Sequence, residues 1–177
     1  MKKAQAANGS REAMERFTQK RPWASRLTPD IAAFVEDRDS AFLGTANLQG
    51  QPDIQHGGGP SGFLHVLDEC TIGFADLAGN RQYVTVGNLS ENPSAFLFLI
   101  DYASRVRVKI WGRAKVVEDD PALIEQLKPQ TPLCRKVNRC WIGLIENGRS
   151  RKTSFYLSDL VCGSMGQTRR EQRAWRG

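Results

Sequence analysis

Residues 94–117, SAFLFLIDYASRVRVKIWGRAKVV, constrain the fold more than any other stretch. Ser94–Tyr102 is almost continuously apolar, which reads as a fully buried strand. Ala103-Ser104-Arg105 turns the chain around. Val106–Val117 then alternates, with Val106, Val108 and Ile110 against Arg107, Lys109 and Trp111. That is a strand with one face toward water or a ligand.

More short segments of this kind surround the pair. Ser40–Asn47 is a half-buried strand, Gln49-Gly50-Gln51-Pro52 a turn, and Asp53–His56 the returning strand. Gly57-Gly58-Gly59-Pro60 follows, a run that a plain strand does not tolerate and that exposes backbone to any flat group lying against it. Leu64–Val66 and Cys70–Ala75 flank the turn at Leu67-Asp68-Glu69 and form a second hairpin. Tyr83–Val86 reads as strand by propensity. Helix signals are few. Ser10 caps a short helix through Arg16 or Phe17. Thr28-Pro29-Asp30 starts another that ends near Arg38, and Pro121–Leu127 is a third. At least six short strands with regular turn signals and few helices predict a mainly β fold, a six-stranded antiparallel barrel with short flanking helices.

Composition narrows the function classes. The 177 residues suit one domain with a real core. No apolar run is long enough to span a bilayer, and the N-terminus lacks the apolar core of a secretory signal, so a cytoplasmic location is expected. Four cysteines without a CxxC pair and two histidines make a zinc site a poor expectation. The net charge of +6 invites a nucleic-acid reading, but its distribution argues against one. Residues 149–177 carry seven basic and two acidic residues, a local +5, which leaves +1 for residues 1–148. The expected division is therefore a domain over 1–148 and an atypical basic tail over 149–177.

The stretch Gly73–Asn92, GFADLAGNRQYVTVGNLSEN, carries the chemistry. A strand ending at Phe74 breaks into Asp76-Leu77-Ala78-Gly79-Asn80, where Gly and Asn permit positive φ. Arg81 and Gln82 follow at once. Turn N–H groups beside an arginine fork suit a phosphate.

This stretch, with GFLHVLDECTI before it and FLFLIDYASRVRVKIWGRAKVVEDDP after it, resembles the pyridoxamine 5′-phosphate oxidase-like FMN-binding split-barrel family, in its bacterial oxidase-related branch. The resemblance covers about residues 10–127. It implies a six-stranded split barrel and a homodimer with FMN at the subunit interface. It implies that Asn80, Arg81 and Gln82 hold the phosphate. Gln55, His56, Gly57 and Gly58, with Phe74, Ala75 and Asp76, would run along the flavin ring. Arg107 and Lys109 would face the flavin or its phosphate across the dimer. It also makes the segment after Asn80 helical, against the strand propensity of Tyr83–Val86. His56 is expected as a hydrogen-bond partner at the ring edge, and no catalytic residue is assigned.

The chain departs from the family in two places. It lacks the C-terminal Arg-x-His type motif that grips the substrate phosphate in authentic pyridoxamine phosphate oxidases, so that activity is not expected. After Cys140 it runs WIGLIENGRSRKTSFYLSDLV and onward with weak periodicity, where relatives place a last strand. Ser154–Val161 is the segment able to replace that strand, and residues after Arg149 are expected to pack poorly. The resulting expectation is an FMN-dependent oxidoreductase acting on a small molecule. The alternatives are a flavin-binding sensor or carrier without turnover, and a split barrel using deazaflavin or haem.

Overall fold

The computed structural model describes residues 2–20, 24, 26–77 and 81–128, and the backbone of 137–144 and 155–159. The helices are α1 (Lys2–Ala7), α2 (Arg11–Lys20), α3 (Pro29–Glu36), α4 (Val84–Glu91) and α5 (Pro121–Leu127). The strands are β1 (Ser40–Ala46), β2 (Pro52–Gly58), β3 (Leu64–Asp68), β4 (Thr71–Leu77), β5 (Ser94–Asp101), β6 (Val106–Val117), β7 (Val137–Leu144) and β8 (Phe155–Asp159). The architecture is the expected mainly β one with short flanking helices.

The strands form one antiparallel sheet in the order β2-β1-β5-β6-β7-β4-β3. Strand β6 organises it. One edge of β6 pairs with β5 from Val106 to Arg113. Its other edge is divided, β8 taking Val106–Ile110 and β7 taking Arg113–Val117. The sheet divides there between β7 and β8.

Alternation sorts the two faces. Ala41 and Leu43 of β1, Leu97 and Leu99 of β5, and Val108 and Ile110 of β6 point inward and are buried. Fully burying a side chain such as Leu99 or Val108 contributes about 1.5–3 kcal/mol. The outer face carries Phe42, Phe96, Phe98 and Trp111, all half-buried. Their rings form a row: Phe42 to Phe98 at 6.3 Å, Phe98 to Phe96 at 6.4 Å, and Phe96 to Trp111 at 4.9 Å. The expectation that Ser94–Tyr102 is buried on both faces is therefore corrected. Only one face of β5 is core, and Tyr102 beyond its end is 77% exposed.

The helices close the barrel's flanks. Pro29 starts α3, whose Ile31 and Val35 are buried; Thr28 stands at its N-cap without a side-chain cap bond. In α5, Asp120 caps Leu123 N–H at 3.0 Å. Leu127 of α5 presses on Gly73, where a Cβ would lie 3.0 Å from Leu127 Cδ1.

Two further readings change. Gly57 and Gly58 belong to β2, paired with Ala41 and Ser40, so the glycine run continues the strand. An edge strand tolerates this, because one side of its ladder has no partner to lose. Tyr83–Val86 is not a strand: Val84 opens α4, because tertiary packing of Thr85, Asn88 and Leu89 against the barrel overrides the β propensity of Val84 and Val86. Strand β7 adds to the strands read from sequence, and β8 falls within Ser154–Val161, the segment named as able to replace the last strand. Strand β8 lies within the segment expected to pack poorly, and the rest of 149–177 lies outside the described residues.

A brace holds the tip of the β5–β6 hairpin. Arg38 donates from Nε to Phe34 O at 3.1 Å, its guanidinium lies 4.4 Å above the Phe34 ring, and it ion-pairs with Asp37 and, at 3.4 Å, with Asp101. Asp101 in turn accepts from Ala103 N–H at 2.9 Å and from the hydroxyl and N–H of Ser104.

Candidate functional site

The turn between β4 and α4 is the first half of the site. Arg81 has φ 59° and Tyr83 φ 53°, two non-glycine residues in the left-handed region on either side of Gln82. Each costs about 1–2 kcal/mol, so packing must impose the conformation. Left-handed residues turn the backbone sharply ahead of the helix, and turns of this kind can gather N–H groups around an anion. Tyr83 at the N-cap offers no side-chain cap bond. The first helical bond is Gly87 N–H to Tyr83 O at 2.9 Å, so the N–H groups of the first turn have no acceptor within the helix. The exposed Arg81 side chain forms no ion pair among the described residues. An uncapped helix start of eight residues with an arginine beside it can hold a phosphate-like anion. Asn80, the third residue expected there, lies outside the described residues.

Behind this turn α4 is anchored to the barrel. Asn88 Nδ2 donates to Thr45 Oγ1 at 3.0 Å, and Asn92 Nδ2 donates to Ala46 O at 3.1 Å. Thr85, 5% exposed, keeps its Oγ1 buried without a partner, as Asp53 does its Oδ2. Thr45, the hydrogen-bond partner of Asn88, is the cross-strand partner of Asp53. The second half and C-terminal end of α4 are thus tied to β1.

Strand β2 is the second half. It sits at the end of the sheet path and is exposed along most of its length. Gln55 and Gly57 face inward with Leu43 and Ala41, and His56 and Gly58 face outward with Phe42 and Ser40. A Cβ on Gly57 would meet nothing within 4 Å, so the space beside it is open. Gly58 and Gly59 are glycine for packing. A Cβ on Gly58 would lie 3.1 Å from Asp39 O, and one on Gly59 would lie 2.7 Å from Phe63 Cβ. Phe63 carries this contact on to Phe74 of β4, ring to ring at 6.2 Å and nearly perpendicular. Phe74 and Asp76 are half-buried and Ala75 is buried.

Arg107 and Lys109 are not near β2 within the chain. Both lie on the outer face of β6, with β1 and β5 in between. Lys109 forms no ion pair among the described residues. The described residues also contain no group of three or more side chains able to hold a metal ion, and no helix long and apolar enough to cross a membrane.

One contact was invisible in the sequence. Ser40 Oγ lies 2.8 Å from His56 Nε2. Ser40 opens β1 and carries no motif; only the strand register brings it to His56.

An antiparallel sheet organised on β6, with few short flanking helices, is the architecture of the split-barrel class. Residues 27–136 match the pyridoxamine 5′-phosphate oxidase family, more than half of the chain, and the chain belongs to that family. Among solved structures, HupZ of Group A Streptococcus is 16% identical with a TM-score of 0.53, over 75% of this chain and 94% of that one. An FMN-binding protein from Syntrophomonas wolfei subsp. wolfei is 13% identical with a TM-score of 0.53, over 88% of this chain and 98% of that one. Both likenesses show the shared fold. No curated protein matches the chain.

Proposed function

We propose that the protein is an FMN-binding flavoprotein, an oxidoreductase acting on a small molecule, and a homodimer. The observation that carries this reading is the left-handed turn at Arg81 and Tyr83, opening onto an α4 N-terminus with no side-chain cap. The residues fit FMN. Arg81, with Asn80 and Gln82, supplies the fork and the charge for a phosphate dianion. The free edge of β2 offers outward N–H and C=O groups, and the open space at Gly57 admits a flat ring. Phe74 and Asp76 line the approach from β4. Arg107 and Lys109 of the second protomer supply positive charge toward the ring. When bound, the flavin supplies the electron transfer; this chain's residues hold, orient and bias it.

The dimer is supported by the outer face. Phe42, Phe96, Phe98 and Trp111 form an apolar row, and Ile54 beside it is 71% exposed. An apolar face of this kind suits a second copy of the chain.

The test is the visible absorbance spectrum of the purified protein, followed by release of the chromophore and its identification by mass. Flavin bands and released FMN are expected. A released deazaflavin or haem replaces the cofactor assignment, and a colourless protein that takes up no added FMN overturns it.

A further inference from the structure

The contact between Ser40 and His56 lies outside every role assigned above. Ser40 is registered opposite Gly58, and His56 opposite Phe42, so the hydrogen bond runs diagonally across the outer face from one residue pair to the next. Further contacts confine the imidazole. The Phe42 ring lies 5.1 Å away, tilted by 49°. The imidazole also packs beside Gly58, where a Cβ would lie at ordinary contact distance, 3.6 Å, from His56 Cε1. His56 is exposed, and its Nδ1 has no partner among the described residues.

A hydroxyl on one imidazole nitrogen orients the ring and serves either tautomer, donating to a bare nitrogen or accepting from an N–H. The ring is therefore oriented, while its second nitrogen remains available on the outer face of β2. Two exposed polar side chains joined this way contribute little to stability, because water offers each of them an equivalent partner. Their value lies in presenting Nδ1 in one direction.

We infer that Ser40 is a positioning residue of the ligand site, holding His56 so that Nδ1 hydrogen-bonds the polar rim of a flavin ring resting on β2. This rests on the flavin reading above and assigns it a residue that no motif marks. Ser40 touches no ligand itself and acts through the imidazole.

The experiment is an FMN titration of the full chain, followed by flavin fluorescence quenching and by the absorbance spectrum of the bound state. The variants are Ser40→Ala, Ser40→Thr, His56→Leu and the double variant Ser40→Ala/His56→Leu. Each is compared by thermal melting, so that only folded protein is scored. Ser40→Ala should bind FMN about three- to tenfold more weakly, the range of one lost hydrogen bond, and shift the bound-flavin band. Ser40→Thr, which keeps the hydroxyl, should restore both. The double variant should be no weaker than His56→Leu, because the two residues act as one unit. Wild-type affinity and an unshifted band in folded Ser40→Ala and His56→Leu overturn the inference while leaving the flavin reading intact. A wild-type chain that binds no FMN overturns both.

Discussion

His56 and Lys109 stand in the same cross-strand row, His56–Phe42–Phe98–Lys109, at opposite sides of the outer face. Adjacent strands lie about 4.8 Å apart, so three intervals separate the two residues by roughly 14 Å. In the proposed site Arg81 acts with His56, α4 being tied to β1 through Asn88 and Thr45. If Lys109 serves the same flavin as Arg81, it does so from the other protomer. Arg81→Ala and Lys109→Ala should each bind FMN weakly alone. Co-expressed, they should form mixed dimers in which one site regains both residues, so roughly a quarter of the sites recover wild-type affinity. Titration of the mixture reads this directly. No recovery places Arg81 and Lys109 in one protomer's site or removes Lys109 from it.

Arg81 itself should dominate FMN affinity. A charge-assisted hydrogen bond contributes about 1.5–3 kcal/mol, so Arg81→Ala should weaken FMN by about ten- to a hundredfold. Arg81→Lys keeps the charge and loses the fork, and should fall between. Riboflavin, which lacks the phosphate, should bind Arg81→Ala and wild type alike. A fluorescence titration with both ligands separates loss of the phosphate contact from loss of the fold.

Neighbouring glycines should respond in opposite ways. Gly59→Ala places a Cβ 2.7 Å from Phe63 Cβ and 2.9 Å from Cγ, and both atoms belong to a buried side chain. Overpacking of this kind costs about 1–3 kcal/mol, visible as a lower Tm. Gly57→Val meets open space and should leave Tm unchanged. If the flavin ring rests on β2, the same substitution should still lower FMN affinity. Thermal melting with and without FMN distinguishes the two positions.

Much of the fold was legible from period and turn chemistry. The alternation of Val106–Val117 marked β6, and Asp120-Pro121 marked the start of α5, because both signals are local. Three features were not local. Val84-Thr85-Val86 has strand propensity, and only contacts with β1 make it helical. The run Ala95–Ile100 looks buried on both faces because its outer residues, Phe96 and Phe98, are as apolar as its inner ones, Leu97 and Leu99. The hydrogen bond from Ser40 to His56 depends on the β1–β2 register, which no spacing within either strand reveals. A turn was legible in the glycine and polar residues before α4, yet its described left-handed residues are Arg81 and Tyr83, which residue type alone does not select.

The hairpin tip should be an acid-sensitive element. The Ser104 hydroxyl first, then its N–H, the Ala103 N–H and the nearby Arg38 guanidinium hold the Asp101 carboxyl below its ordinary range. A carboxyl depressed in the folded state adds stability that is fully present above its unfolded value, about 3.9, and is lost as pH falls through the folded value. Asp101→Asn should therefore melt below wild type at pH 7. The gap should narrow as pH falls below about 4 and close once the wild-type carboxyl is protonated. Ser104→Ala should show a smaller gap over the same window, since it removes only the hydroxyl contribution. Thermal melting of the three proteins from pH 7 to pH 3 tests the order. A gap that stays constant across that range would assign the effect of Asp101→Asn to packing at the tip, with no contribution from its charge.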